Sequence, residues 1–242
     1  MFSGSSNLDH YSKKNLLIWS ALAFQAGSIN AGGFLACHRF VTHITGLFTH
    51  FGAEIGSGHY AAALGMLSVP LFFIAGAMIS GFLVDRNLHM EKPAKYATSF
   101  FLIFLGMMMV VFVGYQGGFG EFGAPLALGS DYSLLALLCL ASGLQNATVT
   151  SASGAVVRTT HLTGVATDLG IGLVRIFLPA RGQSKSIESQ RNFMRICILL
   201  SFALGSALAT SVFIQTQYFG FLIPATISLA LMVVSVRSYK NG

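Results

Sequence analysis

The chain has 242 residues, 54% of them hydrophobic and only 9% charged, with a net charge of +6 and a mean hydropathy of +0.70. Soluble domains carry about 25% charged residues, so this composition excludes an ordinary water-soluble globule and points to a bilayer as solvent. The basic balance would suggest nucleic acid in a soluble protein, but here the positions of the basic residues account for it and no nucleic-acid partner is expected.

The polar start MFSGSSNLDHYSKK leads into an uncharged run, Asn15–Cys37. That run is full span length, without the short apolar core and cleavage site of a signal peptide. Three more uncharged runs follow: Tyr60–Val84, Tyr96–Gly120 and Tyr132–Val157. A crossing of the hydrocarbon core needs about 20 mostly apolar residues, so each predicts a transmembrane helix. Ile196–Val236 is 41 residues without a charge, too long for one crossing, and divides at Gln215-Thr216-Gln217. The expected architecture is an all-α polytopic protein, a single membrane domain over residues 1–242 with six spans. Cys37, Cys139 and Cys197 are odd in number and far apart, and read as small packing residues rather than a disulfide framework.

Basic residues set the orientation. Lys13 and Lys14 precede the first span, and Arg86, Lys92 and Lys95 separate the second from the third. Arg175, Arg181, Lys185, Arg191 and Arg195 precede the fifth, and Arg237 and Lys240 follow the sixth. Residues 116–131 and Gln215–Gln217 hold none. Both termini then face the cytoplasm of a bacterial inner membrane, with Arg39 alone out of place.

Residues 43–52 read HITGLFTHFG and residues 161–170 read HLTGVATDLG, with His, Thr, Gly, Thr and Gly identical. Counting these segments as spans would push the basic 85–95 loop outside, so they are expected to be short re-entrant or broken helices, tolerated at membrane depth where protein or a watery cavity covers them. The echo extends further. GSINA (27–31) matches GLQNA (143–147), and FIAGAMISG (73–81) matches FALGSALAT (202–210), with Gly76 and Gly205 in register. Three spans per half, an odd number, make this a 3+3 inverted repeat of about 15–116 and 132–238. In secondary transporters of that plan the binding site lies at the midplane between the halves.

The phrase has a physical reading. Thr45 and Thr163, each followed by a glycine (Gly46, Gly164), are good helix N-caps. Thr49 and Thr167, then Gly52 and Gly170, continue a small-residue stripe that lets helices approach. Asn30, Gln145 and Asn146 stand inside apolar runs, where an unpaired amide costs several kcal/mol. The two asparagines bond to each other, to broken backbone, or to a solute. Asn30, Thr45, Gly46, Gln145, Asn146, Thr163 and Gly164 are therefore the candidate substrate residues. His43, His50, Glu54, His161 and Asp168 are the candidate ion-coupling groups, because ionisable residues at membrane depth are functional suspects. In the repeat His43 corresponds to His161 and His50 to Asp168, while His50 and Glu54 are neighbours on a helix face.

At GSINAGGFLA with HITG, and GLQNA with RTTHLTG, the chain resembles the YoaK family of bacterial integral membrane proteins, a domain of unknown function. The resemblance covers roughly residues 15–238. It implies Asp in many members at the position of Asn30, and Asn at that of Leu47.

The leading expectation is a small secondary transporter for a small polar or anionic solute, proton coupling included, with no catalytic residue, metal or cofactor. Homo-oligomers fit that reading. The alternatives are a membrane-embedded metal-dependent hydrolase drawing on the same histidines and acids, and a non-catalytic scaffold. No phosphate-binding P-loop occurs, so ATP hydrolysis is not expected.

Overall fold

The computed structural model describes residues 12–124, 130–154, 159, 162–178 and 184–240, all in helices and their connections. The helix α1 (Lys13–Cys37) starts where Ser12 caps it, its side chain accepting from the Asn15 amide. It ends at His38, whose left-handed backbone turns the chain. Then come α2 (Ile44–Gly56) and α3 (Tyr60–Ser80), the latter prolonged through a π-helical turn, Gly81–Asp85, into α4 (Arg86–His89). After α5 (Tyr96–Tyr115) the second half repeats the order: α6 (Ser130–Ala152), α7 (Leu162–Phe177), α8 (Lys185–Thr216) and α9 (Leu222–Lys240).

Among the described residues four segments are long and apolar enough to cross a membrane: Tyr60–His89, Tyr96–Tyr115, Tyr132–Ala152 and Lys185–Ser238. The last contains both α8 and α9, broken at Gln217, where the backbone takes a φ of 50° beside the predicted division. Helix α1 has 25 residues but is not among the four, being richer in glycine and amides. Its polar residues point inward: Gln25 and Ser28 are fully buried. The outward faces carry Leu17, Leu64, Met78, Phe112 and Ile214, each more than half exposed. Such a surface is unfavourable in water and suits lipid contact.

Helices α2 and α7 differ from the rest. They have 13 and 16 residues, about 20 and 24 Å long at ~1.5 Å per residue, short of the roughly 30 Å hydrocarbon core. Each is amphipathic and packs along the next long helix, α2 on α3 and α7 on α8. Residues 44–52 and 162–170 of the two echoed phrases are thus continuous helix, each within an element too short to cross the hydrocarbon core.

Two close crossings organise the core. In α1 and α8, a Cβ added to Gly27 would land on the Phe202 carbonyl oxygen, and one added to Gly205 on that of Phe24. In α3 and α6, Gly76 meets the Leu140 carbonyl and Gly143 that of Phe73 in the same way. Glycine is required at these four positions because backbone approaches backbone. The hydroxyls of Ser28 and Ser206 bond across the first crossing to Gly205 and Gly27 carbonyls (3.3 and 3.1 Å).

Contacts along the helices give their directions. Tyr132 meets Ala62, Thr148 meets Ser80 and Ser151 meets Asp85, so α3 and α6 run parallel. Gly27 with Phe202 and Gly32 with Phe213 make α1 and α8 parallel as well. Gln25 with Ser228 and Gly32 with Phe221 make α1 and α9 antiparallel. One end is closed by aromatic rings: Phe122 packs on Phe213 and Tyr218, and Phe213 on Phe221, with centroids 4.8–6.2 Å apart. The 116–124 connection folds back over this end, where the Gly123 amide donates to the Ala36 carbonyl.

Candidate functional site

The most constrained polar groups inside the bundle are two glutamines. Gln145 of α6 is 1% exposed, and its Nε2 donates to the Leu22 carbonyl of α1 at 2.8 Å. Gln25 of α1 is fully buried and donates through Nε2 to Ser228 Oγ of α9 at 2.9 Å. Both Oε1 atoms are buried with no partner among the described residues. The Gln145 amide cannot be turned to relieve this. A flipped Gln145 would set oxygen against the Leu22 oxygen. The Ser228 hydroxyl also lies 2.9 Å from the Pro224 carbonyl, to which it donates when it accepts from Gln25. Two carbonyl oxygens therefore lie in an apolar interior, each at a desolvation cost of roughly 1–3 kcal/mol if nothing donates to it.

Leu22 and Gln25 are three residues apart, neighbours on the α1 surface, so the two amides reach one region of α1. Ser142, three residues before Gln145, is also buried with an unpartnered hydroxyl, as are Ser99 of α5 and the indole N–H of Trp19. Sequence reasoning named Gln145 but missed Gln25, Ser142 and Trp19. The available signal was that Gln25 is, like Asn30, a lone amide within the uncharged Asn15–Cys37 run.

The remaining expected substrate residues are placed differently. Asn30 is 7% exposed and accepts, through Oδ1, from the Thr42 amide (3.3 Å) and hydroxyl (3.0 Å). Of the alternatives for this amide, Asn30 bonds backbone, holding Thr42 just ahead of α2. Asn146 is half-buried and is likewise engaged. Thr45 and Thr163 are exposed and lie in the first turns of α2 and α7, not at the cap, because the helices already begin at Ile44 and Leu162. His43 occupies the cap position of α2 without a side-chain bond. Gly46 and Gly164 are partly buried beside them. Thr49 and Thr167 bond back to the Thr45 and Thr163 carbonyls, both at 2.9 Å, so the two phrases share side-chain detail.

Among the coupling candidates, Glu54 pairs with His59 (Oε2 to Nδ1, 3.0 Å) rather than with His50. Burial and the Arg39 guanidinium hold the His50 imidazole below its ordinary value, against an opposing pull from Glu54. His43 and Asp168 are exposed. His161 lies outside the described residues. Among the described residues no three His, Cys, Asp or Glu side chains converge as a metal site would require.

No curated protein and no solved structure matches the chain. Residues 18–235 match the model of a family described as protein of unknown function (DUF1275), which spans the bundle from α1 to α9. The chain belongs to that family.

Proposed function

We propose that this DUF1275 member is a small secondary transporter of six spans, built from two inverted halves, with its solute site at the buried glutamines Gln25 and Gln145. The observation that carries the reading is the pair of buried, unpartnered amide oxygens. A purely structural core hydrogen-bonds its buried polar atoms or replaces them with apolar ones. The two glutamine oxygens, with the Ser142 hydroxyl and the Trp19 indole N–H among the other unpartnered groups of the described residues, mark a place where a mobile partner completes the bonding.

The alternation of direction supports the inverted arrangement: α1 and α8 run one way, and α9 the other. The glycine crossings support it further. Gly27 and Gly143 are repeat equivalents, as are Gly76 and Gly205, and each crossing joins one residue of each kind. A transporter needs rigid halves able to rock about a shared site, and crossings of this kind tie one half to the other at matched positions. Proton coupling in this reading falls to His50 and Asp168, which the repeat places in equivalent positions, as it does His43 and His161.

Because the free groups at the glutamines are acceptors, the solute is a small polar molecule with hydrogen-bond donors. A thermal-shift screen on detergent-purified protein tests this, comparing urea, methylammonium, small amides and nucleobases with chloride, nitrate and sulfate. Stabilisation by donor-bearing compounds, lost in Gln145→Leu and Gln25→Leu, is the expected result. Stabilisation that both variants retain would place the site elsewhere.

A further inference from the structure

A second polar site lies apart from the glutamines, where α7 rests on the first turns of α8. Ser184, Ile187, Glu188 and Arg191 recur at helical spacing on one face of α8 and, with Arg175 of α7, line a cavity of about 260 Å³. Gly172 lets α7 come this close: any Cβ there would land among Asn192 Oδ1, Arg195 Nη1 and Glu188 Oε1.

The hydrogen bonding around the cavity is unbalanced. Glu188 is 9% exposed and takes its one short bond from Arg195 Nη1 at 2.8 Å. Its other oxygen is 3.9 Å from Arg175 Nη1, beyond hydrogen-bond length. Arg195 also donates to Asn192 Oδ1, which fixes that amide with Nδ2 as its free end. Asn192 Nδ2 is buried without a partner among the described residues, in a residue only 3% exposed. Arg191 makes no ion pair among the described residues. Ser184, at the position before α8, lines the cavity and makes no side-chain cap bond, so the positive end of this long helix's dipole lies at the cavity wall. Three guanidiniums stand against one carboxylate, so the groups around the cavity carry net positive charge.

We propose that this cavity binds a phosphate group, held by Arg175 and Arg191 over the start of α8. Guanidinium forks and helix N-termini are suited to tetrahedral oxyanions. Phe177, Leu178 and Ile187, exposed by 75%, 78% and 53%, flank the charged wall. The same chemistry is offered by a lipid headgroup and by a soluble phosphate, and the two are separable by experiment. The site does not depend on the transport reading.

The test uses the full chain in detergent, titrated with inorganic phosphate and with glycerol 3-phosphate. In parallel, nanodiscs of phosphatidylcholine alone are compared with nanodiscs containing phosphatidylglycerol. The expected result is thermal stabilisation in at least one arm, which names the source, with affinity falling tenfold or more in Arg191→Gln. Arg191 is exposed and unpaired, so that variant folds. Glu188→Gln should act in the opposite direction, because removing the carboxylate raises the positive charge and releases Arg195. Equal responses of wild type and Arg191→Gln in both arms, or no response in either, would overturn the proposal.

Discussion

Gly27 of α1 and Gly205 of α8 each rest on the other helix's backbone, Gly27 on the Phe202 carbonyl and Gly205 on the Phe24 carbonyl. Neither neighbour is the flexible end of a side chain, so neither can give way. Gly205→Ala should therefore destabilise the bundle by about 1–3 kcal/mol or more, as overpacking does. Gly170 offers the contrast: it sits in α7 with nothing within 4 Å of an added Cβ. There Gly→Ala should stabilise by roughly 0.5–1 kcal/mol through backbone entropy. Thermal unfolding of the two variants in detergent checks both signs, and a similar response from the two would refute the close crossing.

The sequence made these glycines visible but not their partners. Self-similarity pairs Gly27 with Gly143 and Gly76 with Gly205 as copies, whereas contact pairs Gly27 with Gly205 and Gly76 with Gly143. Local pattern carries the first relation, and only long-range packing carries the second. Helix starts at Tyr60 and Tyr96 were legible because the charged or turn-forming residues end there. The start of α2 was not, since Asn30, twelve residues away, fixes the Thr42 backbone and lets the helix begin before Thr45. Helix α8 likewise begins at Lys185, far ahead of its uncharged run, because its first turns carry an inward polar network that hydropathy reads as loop. Of the glutamine site, Gln145 was legible through its motif, and Gln25 is distinguished only by what it fails to bond.

Asn30 supplies a discriminating pair of substitutions. It accepts twice through Oδ1, from the Thr42 amide and hydroxyl. A carboxylate accepts both bonds equally well, so Asn30→Asp should fold, consistent with the Asp that the family resemblance implies at this position. Asn30→Leu leaves the buried Thr42 donors unsatisfied and should cost about 1–3 kcal/mol. Limited proteolysis of the 38–43 connection, alongside thermal unfolding, would register the loss. Equal stability of the Leu variant would remove Asn30 from this role.

The proposed orientation can be read with an impermeant maleimide on intact cells. Glu121→Cys and Gln215→Cys, both at exposed positions near the aromatic end, should label from the periplasm. Lys92→Cys and Lys185→Cys should label only after permeabilisation. Glu121 is preferable to Gly118, where an added Cβ would meet Val113 Cγ1 at 2.6 Å. Cys37 and Cys139 are buried, so Cys197→Ser suffices as background. Labelling of Lys92→Cys from outside would break the alternation and with it the inverted repeat.

The last prediction concerns acid. His50 is held below its ordinary value by burial and by Arg39, while Glu54 pulls the other way. As pH falls through the ordinary histidine value of about 6.5, the unfolded chain takes up a proton that the folded chain still refuses. Stability contributed by neutral His50 is therefore fully present above that value. It is lost as pH falls toward the lower folded value, where the curve flattens again. The effect is modest because the ring is only partly buried. His50→Gln should flatten this part of the profile between pH 8 and pH 5. Arg39→Gln should flatten it partly, by removing one of the causes that lower the imidazole. Glu54→Gln should steepen it, since the opposing pull goes. A thermal-unfolding profile of His50→Gln that falls as steeply as wild type below pH 6.5 would mean that another group, not His50, senses acid in this helix.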